Sequence, residues 1–294
     1  MSLSQTASAD SFRVYGWPFR LRTNVPDAER LVAGLYRNFH APGLASGLAP
    51  GLAPDLDGSV AEAIVERDGD SQFSWRLGEN GGKTSTLSGA LWNLEAALCE
   101  SIIRSQRRWI AIHAATIQFG NSWAMLAGCT QAGKTTLSLA LARRGFLVGG
   151  DDVALVDPDS LTVLPIPRCF HLDDRGAGLL QDDGLRLPAA WPRHRFIVPH
   201  DFGSPAKPPD RAGWLIFMRG PRCGHPSIAP VSQAEMSARV LSETGQGPLP
   251  DSETIGVICG LAAGASCFTL TPGSLGETAD AVAALLSESM RSTG

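Results

Sequence analysis

The stretch from Gly128 to Asp157 reads GCTQAGKTTLSLALARRGFLVGGDDVALVD, and its first eight residues fit G-x-x-x-x-G-K-[ST]. In such a loop the glycines permit a tight turn whose backbone N–H groups converge on phosphate, and the following helix adds its positive end. Lys134 is placed to reach the β- and γ-phosphates, and the Thr135 hydroxyl to sit on Mg²⁺. Gly128, Cys129, Thr130, Gln131, Ala132, Gly133, Lys134, Thr135 and Thr136 form the candidate nucleotide-binding set. The flanks suit that reading. The apolar run SWAMLAG leads into the loop, and KTTLSLALARRG leaves it as a helix expected to end at Gly145.

Outward from this stretch the pattern alternates. WIAIHAATIQFG and SWAMLAG are apolar runs joined through Gly120-Asn121, a hairpin signal. FLVGG and VALVD read as strands on either side of Asp151-Asp152. GWLIFMRG and ASCFTLTP read as strands, SQAEMSARVLSET and LGETADAVAALLSESM as helices. Strands alternating with helices predict an α/β domain over residues 101–294. Pro165 to Asp210, rich in Pro, Arg and His, is expected to form long functional loops. Residues 1–100 predict a smaller α+β region. It has a strand in FRVYGWPFRLRT, a helix in DAERLVAGLYRNF, strands in VAEAIVERDG and SQFSWRLG, a turn at Asn80-Gly81-Gly82, and a helix with Leu91, Leu94, Leu98 and Ile102 on one face. Gly-Leu-Ala-Pro repeats within 41–58 mark a surface loop or internal linker.

Composition narrows the classes. At 294 residues, with 44% apolar and 18% charged residues, the chain is long enough for a full core. A formal charge of −4 argues against a general nucleic-acid binder. Six scattered cysteines without a C-x-x-C pair read as reduced thiols of a cytoplasmic protein. The start of the chain has no apolar core of a signal peptide, and the longest apolar stretch, Ile255 to Leu270, is too interrupted by glycine to span a bilayer. No membrane association is expected.

Asp151 and Asp152 lie at the end of the next strand after the loop, where one carboxylate can face metal and phosphates and the other can orient or compete. Asp173-x-x-Gly176 matches a GTPase element, but no N-K-x-D follows, so a GTPase is disfavoured. Asp201-Phe202-Gly203 spells a protein-kinase triplet without the other elements of that fold. His113, on an otherwise apolar or small strand, is either a core histidine or a catalytic one.

Together IHAATI and LAGCTQAGKTTLSLALARRGFLVGGDDVALVD resemble the catalytic core of the bacterial HPr kinase/phosphorylase family, and more closely its divergent relatives, including kinases that tailor lasso peptides. The resemblance is specific over about residues 108–170 and follows only the order of elements elsewhere. It implies an α/β P-loop kinase core of the HPr-kinase type, using ATP and Mg²⁺ on a serine or similar hydroxyl of a peptide or small protein. By it His113, Lys134 and Asp152 fall on active-site positions, Thr135 and Asp152 on the metal side. Asp152 would be the base, Asp151 its support or the metal's, and His113 an organiser of phosphate or base. The family's glutamate-bearing signature and later arginine loop have no counterpart; that region reads LPIPRCFHLDDRG, with Arg168, His171 and Arg175. The reverse phosphorylase reaction and HPr as substrate are therefore not implied. Arg168 is open to a phosphate or acceptor contact, or to a surface ion pair. Family members are hexamers, so a homo-oligomer is implied by resemblance alone. A small-molecule kinase and a non-catalytic ATP sensor are the alternatives.

Overall fold

The computed structural model describes residues 9–41, 60–69, 71–106, 108–186, 195–197, 211–220, 224–243 and 252–291, and the chain divides into two units, Met1–Arg107 and Arg108–Gly294. The fold is mixed α/β.

In the first unit β1 (Ala9–Val14) and β2 (Trp17–Thr23) form a hairpin where one strand was expected. Tyr15 and Gly16 both have positive φ, 48° and 88°, which closes a two-residue turn with the twist of the strands. Helix α1 (Pro26–Leu35) follows, then β3 (Ala61–Asp68), β4 (Gln72–Leu77), β5 (Asn80–Thr84) and α2 (Leu87–Ser105). The strands run in the order β1-β2-β3-β4-β5, with β2 and β3 parallel and the other pairs antiparallel. Asn80-Gly81-Gly82 is strand, not turn; Leu77 pairs with Asn80, so the turn is Gly78-Glu79. The glycines serve packing instead: a side chain at Gly82 would meet the Trp75 indole at 3.2 Å. Thr86 caps α2 by accepting from the Gly89 N–H, and Leu91, Leu94, Leu98 and Ile102 are buried on the expected face. The boundary expected after residue 100 falls inside α2, which lies whole in the first unit. From residue 42 on, the Pro/Gly-rich loop lies outside the described residues.

The second unit holds β6 (Ile110–Ile112), β7 (Ala114–Phe119), β8 (Ser122–Ala127), α3 (Lys134–Arg143), β9 (Leu147–Gly150), β10 (Ala154–Val156) and β11 (Val163–Pro165). Then come β12 (Phe170–Leu172), α4 (Asp174–Asp182), β13 (Arg195–Ile197), β14 (Ala212–Met218), β15 (Ser227–Pro230), α5 (Gln233–Leu241), α6 (Ser252–Gly264), β16 (Ser266–Thr271) and α7 (Leu275–Arg291). Six strands form one sheet in the order β15-β16-β14-β8-β7-β9, with β8, β14 and β16 parallel. Strands β11-β10-β6 make a second sheet, and β12 pairs with β13. Along β8, Ala124 and Leu126 enter a core with α3, α4 and α7, whereas Trp123, Met125 and Ala127 enter one with α5, α6 and β10. The six-stranded sheet is thus covered on both faces.

One further expectation needs correction. The Pro165–Asp210 region is not all loop: Asp173 caps α4 by accepting from Gly176 N–H at 2.7 Å, which also accounts for the D-x-x-G match. Residues 187–194 and 198–210, with the Asp-Phe-Gly triplet, lie outside the described residues. The apolar stretch Ile255–Leu270 splits into α6 and β16, and no helix among the described residues is long and apolar enough to cross a membrane.

Candidate functional site

The apolar run Trp109–Gly120 is two strands in different sheets, and the break is His113. Strand β6 pairs with β10 up to Ile112↔Ala154, and β7 pairs with β9 from Thr116↔Gly150. Between those pairs the neighbouring chain also breaks, at Asp151, Asp152 and Val153. Two adjacent segments therefore change sheets at one corner, and the change sets His113 opposite the paired aspartates. His113 Nε2 lies 3.0 Å from Asp152 Oδ1.

The glycine-rich loop stands at the same end of the second unit, between β8 and α3. Gly133, at φ 96°, is the N-cap of α3, and its carbonyl accepts from Leu137 N–H at 2.9 Å. Gly128, at φ 151°, leaves no room for a side chain: a Cβ there would stand 2.8 Å from the Met218 carbonyl at the end of β14. Gln131 holds φ 67° without being glycine, local strain of the kind found at functional loops. Lys134 is buried, and its ammonium donates to the carbonyls of Gly128 at 2.5 Å and Cys129 at 3.2 Å. Cys129 is an exposed free thiol.

The two aspartates separate in role. Thr135 Oγ1 donates to Asp151 Oδ2 at 2.8 Å, so the threonine expected beside Asp152 has Asp151 as its partner. Asp152 instead takes His113 on Oδ1 and the Arg168 guanidinium on Oδ2. Burial opposes the charge of Asp152, but the His113 hydrogen bond and the charges of Arg168, His113 and Lys134 together hold its carboxyl below the ordinary range. For Asp151 burial wins: desolvation and the neighbouring Asp152 outweigh the Thr135 hydrogen bond, and its pKa is pushed up to about 6. Burial lowers the pKa of Lys134, against the pull of Glu243, Asp152 and Asp151.

Among the residues expected at the site, Thr135 contacts Asp151, His113 contacts Asp152, and Lys134 is coupled to both aspartates through charge; Arg168 joins them as a direct partner of Asp152. Glu243 was missed. It follows the C-terminus of α5, accepts from His113 N–H on its carbonyl at 2.9 Å, and sets Oε2 3.5 Å from His113 Nδ1. In sequence it is one acid in the polar tail SET, with nothing to separate it from a solvated helix end.

Among the described residues no group of three or more His, Cys, Asp or Glu is arranged to hold a metal by itself. The Thr135–Asp151 oxygen pair suits a hard cation that keeps water and phosphate oxygens as its other ligands. The vicinity of Gly128, which a Cβ would fill, and a buried ammonium resting on carbonyl oxygens suit a phosphate chain. No protein-family model matches the chain, and no curated protein matches it significantly.

Proposed function

We propose that this chain is a Mg-ATP-dependent kinase of the HPr-kinase type, transferring the γ-phosphate to a serine or similar hydroxyl of a peptide or small protein. The observation that carries the proposal is Asp152: a carboxylate kept ionised by His113 and Arg168, coupled by charge to the lysine of a glycine-rich loop and next in sequence to Asp151, which takes that loop's threonine. Backbone N–H groups of Gly128–Gly133 and the α3 N-terminus receive the phosphates. Lys134 exchanges its carbonyl partners for β- and γ-phosphate oxygens, which relieves a buried cation at the positive end of a helix. Thr135 and Asp151 would hold Mg²⁺, which supplies charge neutralisation of the phosphate oxygens.

Asp152 receives the proton of the acceptor hydroxyl as the new P–O bond forms and the bond to the departing diphosphate breaks. Its depressed pKa suits a loose transition state, in which the base mainly orients the hydroxyl and takes the proton late. Arg168 keeps Asp152 from swinging out of line and adds positive charge near the transferred group.

The test is incubation of wild type and Asp152→Asn with γ-labelled ATP, Mg²⁺ and a size-fractionated extract of the source organism. Label on a peptide or protein that needs Asp152 supports the proposal and isolates the acceptor. Label confined to small molecules points to a metabolite kinase. Bound ATP with no Asp152-dependent label in any fraction sinks the kinase reading.

A further inference from the structure

We infer that Glu243 is a positioning residue for this site: through His113 it holds Asp152 in the orientation that transfer needs. The inference rests on the kinase reading above.

The geometry is specific. His113 is held by Glu243 at two points, its backbone N–H on the Glu243 carbonyl at 2.9 Å and its ring Nδ1 facing Oε2 at 3.5 Å. The opposite ring nitrogen, Nε2, is the one on Asp152 Oδ1 at 3.0 Å. A ring gripped on both nitrogens cannot rotate about its χ2 without losing one partner, so fixing Nδ1 fixes the direction from which Nε2 meets Asp152. The Glu243 side chain is only 11% exposed, against 29% for His113 and 34% for Asp152. The chain thus runs from the buried side outward, Glu243 to His113 to Asp152. A carboxylate is seldom buried to that degree without work to do for its partners. Among the acids that raise the Lys134 pKa, Glu243 acts most strongly, ahead of both aspartates. Arg168 faces Asp152 from the β11–β12 connection, so Asp152 is fixed on one oxygen from there and on the other through α5.

The test uses the full chain with Mg-ATP and water as acceptor, reading slow ATP hydrolysis, with ATP affinity measured separately. Glu243→Gln should lower turnover about 10- to 100-fold, the usual loss when an outer partner of a functional group is removed. ATP affinity should be undiminished, because a negative charge near the phosphate site has gone. Glu243→Asp keeps the charge one methylene further back and should recover part of the loss. In a double-mutant cycle, His113→Ala/Glu243→Gln should be no slower than His113→Ala alone. Multiplicative losses, or a parallel loss of ATP affinity, would overturn the inference. The ¹⁵N shift of His113 Nδ1 at one fixed pH, assigned with His113→Ala, should move in Glu243→Gln and stay put if the two side chains are not coupled. If wild type hydrolyses no ATP without its acceptor, the kinase reading is left to the labelling experiment, and this shift still decides whether Glu243 sets the ring.

Discussion

Helix α3 carries an ionic cluster at each end, and the two are built to different rules. At the C-terminal end Asp183 lies between Arg143 and Arg144, each 3.0 Å away, and Arg144 also reaches Asp280 at 2.6 Å and the carbonyls of Ala140 and Gly276. Burial opposes these charges, yet the contacts win: Asp183 is held low and Arg144 is raised. The cations also sit at the negative end of the helix, where they belong. At the N-terminal end Asp152 is paired in much the same way, but its neighbours are not relieved. Lys134 is a buried cation at the positive end of α3 and Asp151 a buried acid, both pushed by burial towards their neutral forms. A staple between elements does not need groups in disfavoured charge states, whereas such groups cluster at functional sites.

The two ends of α3 differ most at Lys134. Lys134→Met keeps the aliphatic stem and removes the charge. Transfer should fall about 10²- to 10³-fold, as when one donor to a developing anion is lost. Because the folded-state pKa is lowered, the charge opposes folding near neutrality, so the thermal midpoint should hold or rise. A clear drop in the midpoint would place Lys134 with the structural cluster instead.

Asp151 makes the same point through pH. Its folded pKa, raised from 3.8 to about 6, favours the protonated form in the native state. That contribution to stability is complete below pH about 4 and is lost as pH rises through about 6, worth up to about 3 kcal/mol for a buried group. Without Mg²⁺, Asp151→Asn should therefore stabilise the chain at pH 7 and flatten its stability between pH 4 and 6. Asp183 runs the other way, with stability present above about pH 4 and lost in stronger acid. Chemical denaturation across pH separates the two, and an unchanged profile in Asp151→Asn would remove the contrast.

The structural end answers to Arg144. Arg144→Ala leaves Asp183, itself 7% exposed, with one cation fewer and should cost about 2 kcal/mol, or about 4–8 °C in thermal midpoint. ATP affinity should not change. Loss of affinity without loss of stability would mean the far end of α3 communicates with the loop.

What the sequence could disclose follows the same division. The Gly128–Thr135 loop, α3 and its end at Gly145, and the β7–β8 turn at Gly120-Asn121 are local features written in adjacent residues. The sheet change at His113 was not legible, because Ile112 and Ala114 on its two sides are both buried and the apolar run continues across the break. Glu243, and the pairing of Arg168 with Asp152, were opaque for a different reason. Glu243 owes its place to a contact with His113 far along the chain, and Arg168 to one that crosses two strands and a turn. Helix α4 was hidden by its two glycines and α6 by three, although Asp173 offered a cap signal three residues before Gly176.

The smallest effect tests how the two ends of α3 treat backbone strain. At the C-terminal end Gly145, at φ 89°, donates to Ala142 while Phe146 N–H donates to Leu141, the paired bonds of a Schellman cap. A Cβ at Gly145 would meet nothing within 4 Å, so Gly145→Ala isolates the conformational cost and should destabilise by about 1 kcal/mol. In the loop at the other end, Gln131 sits at φ 67° without glycine's freedom. Gln131→Gly should gain up to about 1 kcal/mol in the absence of nucleotide, less the entropy a glycine adds to the unfolded chain. If strain at Gln131 pre-shapes the loop for phosphate, the same substitution should weaken ATP affinity severalfold. Stability that rises while affinity falls would show the loop held in a conformation that folding alone does not favour. A gain in both would make Gln131 an ordinary left-handed residue and bring the two ends of the helix under one rule.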